Sequence, residues 1–160
     1  MKLNQLLKEL KETETYKNFL KENPEAFFAV GFFILDLEKE TETFQLDFFI
    51  PEKKQITSFE FPFKEAKKHE DKIENLEEQS TEIKIDIDDL NAEVKKRIAE
   101  NNSSIVPTKI IATISKNQWN LTCMDNALGI VQLKINSKNG EQDSFNKGSL
   151  MDFMGIQKKE

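Results

Sequence analysis

The sequence predicts an α+β fold in which helices pack on antiparallel sheets, arranged as a tandem α-β-β-β repeat. An amphipathic helical pattern opens the chain, and three alternating segments with short turns follow it, leaving no room for the crossovers that parallel strands need. The same order, helix then three strands, recurs: first from about residue 3 to 63 and again from about 88 to 136. The predicted organisation is a Phe-rich α-β-β-β module at 1–63, a charged helix or connector at 64–81, and a second α-β-β-β module with a C-terminal tail at 82–160. Whether the modules share one sheet is left open by the pattern.

Leu3, Leu6, Leu7 and Leu10 have the i, i+3, i+4, i+7 spacing of one helix face. Tyr16, Phe19 and Leu20 resume the stripe, giving one long helix or two short ones, and Asn23 before Pro24 ends it. The segment 26–37 is apolar on both parities, with Phe28, Val30, Phe32 and Ile34 on one side and Phe27, Phe33, Leu35 and Leu37 on the other, as in a strand covered on both faces. Phe44, Leu46, Phe48 and Ile50 then alternate with Gln45 and Asp47, and Phe59, Phe61 and Phe63 with Ser58, Glu60 and Pro62.

Residues 64–80 hold ten charged side chains in seventeen, which predicts a solvated helix or a connector. Residues 82–87 alternate like a short strand, and Asp86 or Asp88 can cap a helix from Asp89 to about Glu100 that carries Leu90, Val94 and Ile98. Three strands follow, marked by Ile110, Ala112 and Ile114, by Trp119, Leu121 and Cys123, and by Val131, Leu133 and Ile135. Asn139-Gly140 marks a turn, and residues 144–155 predict a short closing helix or a docked tail.

Trp119-Asn120-Leu121-Thr122, a gap, and then 132–141 (QLKINSKNGE) resemble the final hairpin of PepSY-like modules. In that family an aromatic-led strand precedes a strand of the form apolar, x, apolar, Asp, x, x, Thr, Gly, Glu or Lys. Here Asn136 stands at the Asp position and Asn139 at the Thr position. The resemblance implies a cystatin-like α+β unit with a helix across an antiparallel sheet, used for inhibiting peptidases or assisting their maturation, usually outside the cytoplasm.

Composition narrows the functional classes. A net charge of −6 disfavours duplex nucleic acid and anionic membrane surfaces. One Cys permits no internal disulfide, and one His with one Cys supplies too few soft ligands for a conventional zinc site. The N-terminus has charges every few residues instead of the apolar core of a signal peptide, and the longest apolar run, 26–35, is too short for a helical membrane span, so cytoplasmic residence is expected.

No pattern for nucleotide phosphates or a serine nucleophile occurs, and no cofactor is implied. Asp86, Asp88 and Asp89 lack the remaining positions of an EF-hand loop and read as helix caps. His69 reads as a surface residue in the charged segment and Cys123 as a small buried hydrophobe. Carboxylates paired across the sheet keep an enzyme reading open, although sequence selects no pair.

Eleven of the thirteen Phe lie in residues 1–80. They are either the larger share of a joint core or, in part, a contact surface. On the second reading Phe44, Phe48, Phe49, Phe59 and Phe61 are the candidate contact residues for a protein, peptide or apolar ligand. The expected function is therefore a non-catalytic binding or regulatory protein, with a PepSY-like peptidase inhibitor or folding assistant as the alternative.

Overall fold

The computed structural model describes residues 1–149. Its elements in chain order are α1 (Leu3–Lys11), α2 (Glu14–Glu22), β1 (Phe27–Asp36), β2 (Thr41–Ile50), β3 (Gln55–Glu60), β4 (Ala66–Lys68), a 3₁₀ turn (Ile87–Asp89), α3 (Leu90–Glu100), β5 (Lys109–Ser115), β6 (Gln118–Met124), β7 (Gly129–Asn136) and β8 (Gln142–Ser149). All eight strands form one antiparallel open sheet in the order β4-β3-β2-β1-β5-β6-β7-β8. The first group of strands and the second therefore meet through β1 and β5, with Phe33 opposite Ala112 and Leu35 opposite Ile110.

The three helices lie on one face of this sheet. Nine-residue helices do not persist alone in water, so α1 and α2 depend on the apolar stripe they bury. Leu3, Leu6, Leu7 and Leu10 are all buried, and each such leucine contributes roughly 1.5–3 kcal/mol of transfer free energy. Thr13 separates the two helices by capping α2, accepting the N–H of Tyr16 at 3.1 Å, so two short helices form rather than one long one. Tyr16 and Phe19 then stack edge-on over Phe48 and Phe59, at 5.4 and 5.2 Å for the nearest ring pairs. From α3, Leu90, Val94 and Ile98 enter the same core as Ile110, Ile114, Leu121, Leu133 and Ile135.

Trp119 is fully buried in that core, and its indole N–H donates to the Ile85 carbonyl at 2.9 Å. Gly31 has a packing reason: a Cβ there would sit 2.6 Å from the Phe33 ring and 2.9 Å from Ile114. The β5–β6 hairpin turns on Lys116 and Asn117, both at positive φ, as a two-residue primed turn requires. Gly140, at φ 78°, closes the β7–β8 connection as the Asn-Gly pair predicts.

Several expectations need correction. β1 carries a bulge between Phe28 and Val30, so parity switches there: Phe28 joins Phe33 and Leu35 on the helical face, and Phe27 joins Val30, Phe32 and Ile34 on the other. The strand is not sealed on both sides, since Val30, Phe32 and Ile34 are only half-buried. β3 ends at Glu60, so Phe61 and Phe63 do not continue it; they sit around a turn with a cis Phe61-Pro62 peptide.

Residues 82–87 form no strand: Ile85 and Ile87 point inward from an irregular segment whose Lys84 N–H bonds the Ser137 carbonyl. The charged region 64–81 contains the short edge strand β4 and then an extended connector rather than a helix. At the C-terminal end, residues 144–149 belong to β8 rather than to a closing helix, because Phe145 pairs with Leu133. The rest of that expected helix or tail, 150–155, lies outside the described residues.

Candidate functional site

With all three helices on one side, the opposite face of the sheet carries no helix among the described residues. At its centre Ile34 on β1 sits directly opposite Ile111 on β5, and Phe32 and Val30 continue the stripe along β1. All four side chains are half-buried. The frame around them is polar: Val30 faces Asp47, Phe32 lies between Gln45 and Thr113, and Ile34 faces Thr43. On the far side Thr113 and Ile111 adjoin Asn120 and Thr122 of β6. Gln45 donates to Asp47 at 2.9 Å, so part of this frame is already internally paired. An apolar stripe in a polar surround suits non-covalent contact with another surface.

The five Phe singled out by the sequence are not brought together on this surface. Phe44, Phe48 and Phe59 are buried on the helical face, where they form the aromatic cluster with Tyr16, Phe19 and Phe33. Phe49 points to the other face but is also buried, against Phe27 at 5.7 Å between ring centres. Its end of the sheet is where the connector is tied down, through Ile73 N–H to the Lys54 carbonyl and Gln79 N–H to the Phe28 carbonyl. Only Phe61 of the five is exposed, at 36%. It packs edge-on against Phe44 and Phe63 and borders a shallow cavity of about 380 Å³ with Gln45, Ser58 and Glu60, which belong to the helix-free face.

Val30, Phe32 and Ile34 were hidden in the sequence inside a strand that read as covered on both sides, and Ile111 lies on the parity opposite the Ile110, Ala112 and Ile114 that mark its strand. The signal that points to them lies on neighbouring strands. Gln45, Asp47, Thr113, Asn120 and Thr122 all fall on the parity opposite the core, and a face that is polar on β2, β5 and β6 does not accept a helix.

The chemistry-bearing side chains have structural partners. Burial pushes the Cys123 thiol up to about 12 and leaves it a poor nucleophile at neutral pH. His69 is exposed, and its Nε2 meets the Ser58 hydroxyl at 2.9 Å where the connector leaves β4. Asp86 accepts the Ile87 N–H, and Asp89 accepts the Asp86 N–H at 3.0 Å, a capping box that accounts for two of the three clustered acids. The Lys39 and Glu38 N–H groups hold the Asp36 carboxyl below its ordinary range, with Lys39 the larger influence. Among the described residues no group of three His, Cys, Asp or Glu is placed to hold a metal ion, and no helix is long and apolar enough to cross a membrane.

No protein-family model, curated protein or solved structure matches the chain.

Proposed function

We propose that this chain is a non-catalytic binding protein that presents the helix-free face of its sheet to a partner protein or peptide. The observation that supports this most directly is the Val30, Phe32, Ile34 and Ile111 stripe, half-exposed at the centre of the sheet and framed by polar residues. Burying such a stripe against a partner removes apolar surface from water at about 25 cal/mol per Å², while the surrounding Gln, Thr and Asn side chains supply hydrogen bonds. Phe61 flanks the contact through the cavity it shares with Gln45. The assignments of Cys123, His69, Asp86 and Asp89 to packing or capping favour binding over catalysis.

In this reading the chain is a tandem α-β-β-β repeat resident in the cytoplasm. Its two copies meet at β1 and β5, and the first copy has specialised by placing aromatic residues on the helix-free face. A second reading, a cystatin-like and PepSY-like module that inhibits a peptidase or assists folding, is favoured by α3 preceding β5, β6 and β7 with Trp119 as anchor. Affinity capture from native lysate tests the first reading. A protein retained by the intact chain and lost with a folded Phe32→Thr variant supports it, whereas equal retention by the variant contradicts it. Inhibition of a peptidase by the intact chain, undiminished in Phe32→Thr, would move the assignment to the second reading.

A further inference from the structure

We infer that residues 70–78 form a displaceable strap over one end of the helix-free face, and that the partner's contact segment is an extended peptide of the strap's own pattern, with apolar side chains three residues apart, which takes the strap's place. This rests on the sheet-face reading above and names its ligand class and its regulation. Phe49 looks out from that face, where the described residues place no helix, yet only 1% of it is exposed. Phe27 packs on it at 5.7 Å between ring centres, and Ile56 stands opposite it on β3. Three connector N–H groups bond the carbonyls around this patch: His69 to Ile56 at 3.0 Å, Ile73 to Lys54 at 2.9 Å and Gln79 to Phe28 at 2.8 Å. The connector is the segment that closes over it.

The strap is seated as a bound peptide is. Ile73 and Leu76 are half-buried and Gln79 is buried, whereas residues 70–72, 74, 75, 77 and 78 are exposed. An inward side chain at every third residue is the repeat of a polyproline II chain, which makes no hydrogen bonds within itself. Both ends are anchored: His69 also meets the Ser58 hydroxyl, and the Gln79 side chain accepts the Asn117 N–H. Between the anchors attachment is sparse. Ile73 supplies the one backbone bond, the Gln55 side chain donates to the Glu70 carbonyl at an exposed edge, and residues 74–78 make no hydrogen bond to any described residue. Five acids at 70, 71, 74, 77 and 78 against Lys72 repel one another along the segment. Few buried apolar contacts and a solvated backbone mark a segment that opens without global unfolding. Opening uncovers Phe49 beside Phe27, in line along β1 with Val30 and Phe32.

The test uses the full chain, a labelled blocked peptide of residues 70–79, and a double variant, Ile73→Ser with Leu76→Ser, that removes the strap's two apolar side chains. NMR-detected hydrogen exchange of the parent should be faster in 70–78 than in β2 and β5 by about a hundredfold or more, with the Gln79 N–H slow. The peptide should bind the double variant saturably and the parent at least about tenfold more weakly, because the parent's own strap competes from a tethered position. The peptide carrying the same two changes should bind neither. Exchange in 70–78 as slow as in β2, no binding to a folded double variant, or equal affinity for parent and variant would overturn the strap. A double variant that does not fold would show the segment to be part of the core, with the same result. These readouts use neither the lysate partner nor Phe32, so a failure here is told apart from a failure of the sheet-face reading in the Phe32→Thr capture.

Discussion

The carboxylate of Asp86 accepts the backbone N–H of Leu3 at 2.8 Å, joining residues 83 positions apart. The same oxygen accepts the Ile87 N–H, also at 2.8 Å. One side chain therefore satisfies the exposed donors at two helical starts, α1 and the 3₁₀ turn that leads into α3. This fixes α1 against the start of α3 on a shared side of the sheet. The neighbouring Lys2–Asp88 pair, at 3.6 Å and largely exposed, adds little by comparison.

Replacing this residue by Asp86→Ala should cost about 1–2 kcal/mol, the range for loss of a helix cap. For a chain of this size that lowers the melting temperature by roughly 2–8 °C. Asp86→Asn keeps an oxygen in the same place and should retain most of the stability. Calorimetry of the two variants checks this; an unchanged midpoint in Asp86→Ala would mean the shared cap carries no weight.

Gln79 makes a second long-range tie and leads to a local prediction. It is 2% exposed; its Oε1 accepts the Asn117 N–H at 2.9 Å and its Nε2 donates to the Ser80 carbonyl and the Asn117 side chain. Gln79→Ala leaves the hairpin N–H of Asn117 without its acceptor, at a cost of about 1–3 kcal/mol. Hydrogen exchange should quicken in residues 69–86 and at the 115–118 turn more than in β6 or β7. Uniform acceleration across the sheet would show that the connector is not separately held.

Cys123 sets an alkaline limit. Burial raises its thiol to about 12 from an ordinary 9.0, so the unfolded chain releases the proton first as pH rises. Stability is therefore intact below about pH 9 and falls between there and pH 12, by up to about 1.4 kcal/mol per pH unit. Burial raises the Tyr16 hydroxyl as well, which adds to the same trend above pH 10. Cys123→Ala should flatten the loss between pH 9 and 10, measured by urea unfolding as a function of pH. A native thiol that reacts with a disulfide reagent as fast as the unfolded chain would contradict its burial.

The helices and most strands were legible because their apolar spacing is strong: Leu3 to Leu10, Leu90 to Ile98 and the Trp119 strand all point where the period says. What escaped depends on contacts distant in sequence. The bulge beyond Phe28 exchanges the faces of Phe27 and Phe28, and no local pattern announces it. Ile83, Ile85 and Ile87 alternate as a strand would, yet their backbone is taken up by single partners distant in sequence: the Lys84 N–H bonds the Ser137 carbonyl and the Trp119 indole takes the Ile85 carbonyl. β4 was lost in the charged segment because Lys67 and Lys68 suit an edge strand that resists further pairing. Of the aromatic residues chosen as contacts, Phe44, Phe48 and Phe59 have the parity of the core, and Phe49 is buried by what passes over its end of the sheet. Phe49→Ser should accordingly cost several kcal/mol, about 3–5 by the scale of large aromatic truncations.

The face assignment is tested most directly by two adjacent residues of one strand, Phe32 and Phe33, compared by thermal unfolding as Phe32→Thr and Phe33→Thr. Phe33 is fully buried against Phe44 and Trp119, whereas Phe32 is half-buried on the helix-free face. Phe33→Thr should lose about 3–5 kcal/mol and melt roughly 10 °C lower or not fold at all. Phe32→Thr should melt within about 3 °C of the parent, a loss near 1 kcal/mol. Equal destabilisation by the two changes would mean that both faces are sealed, and the proposed contact surface would not exist.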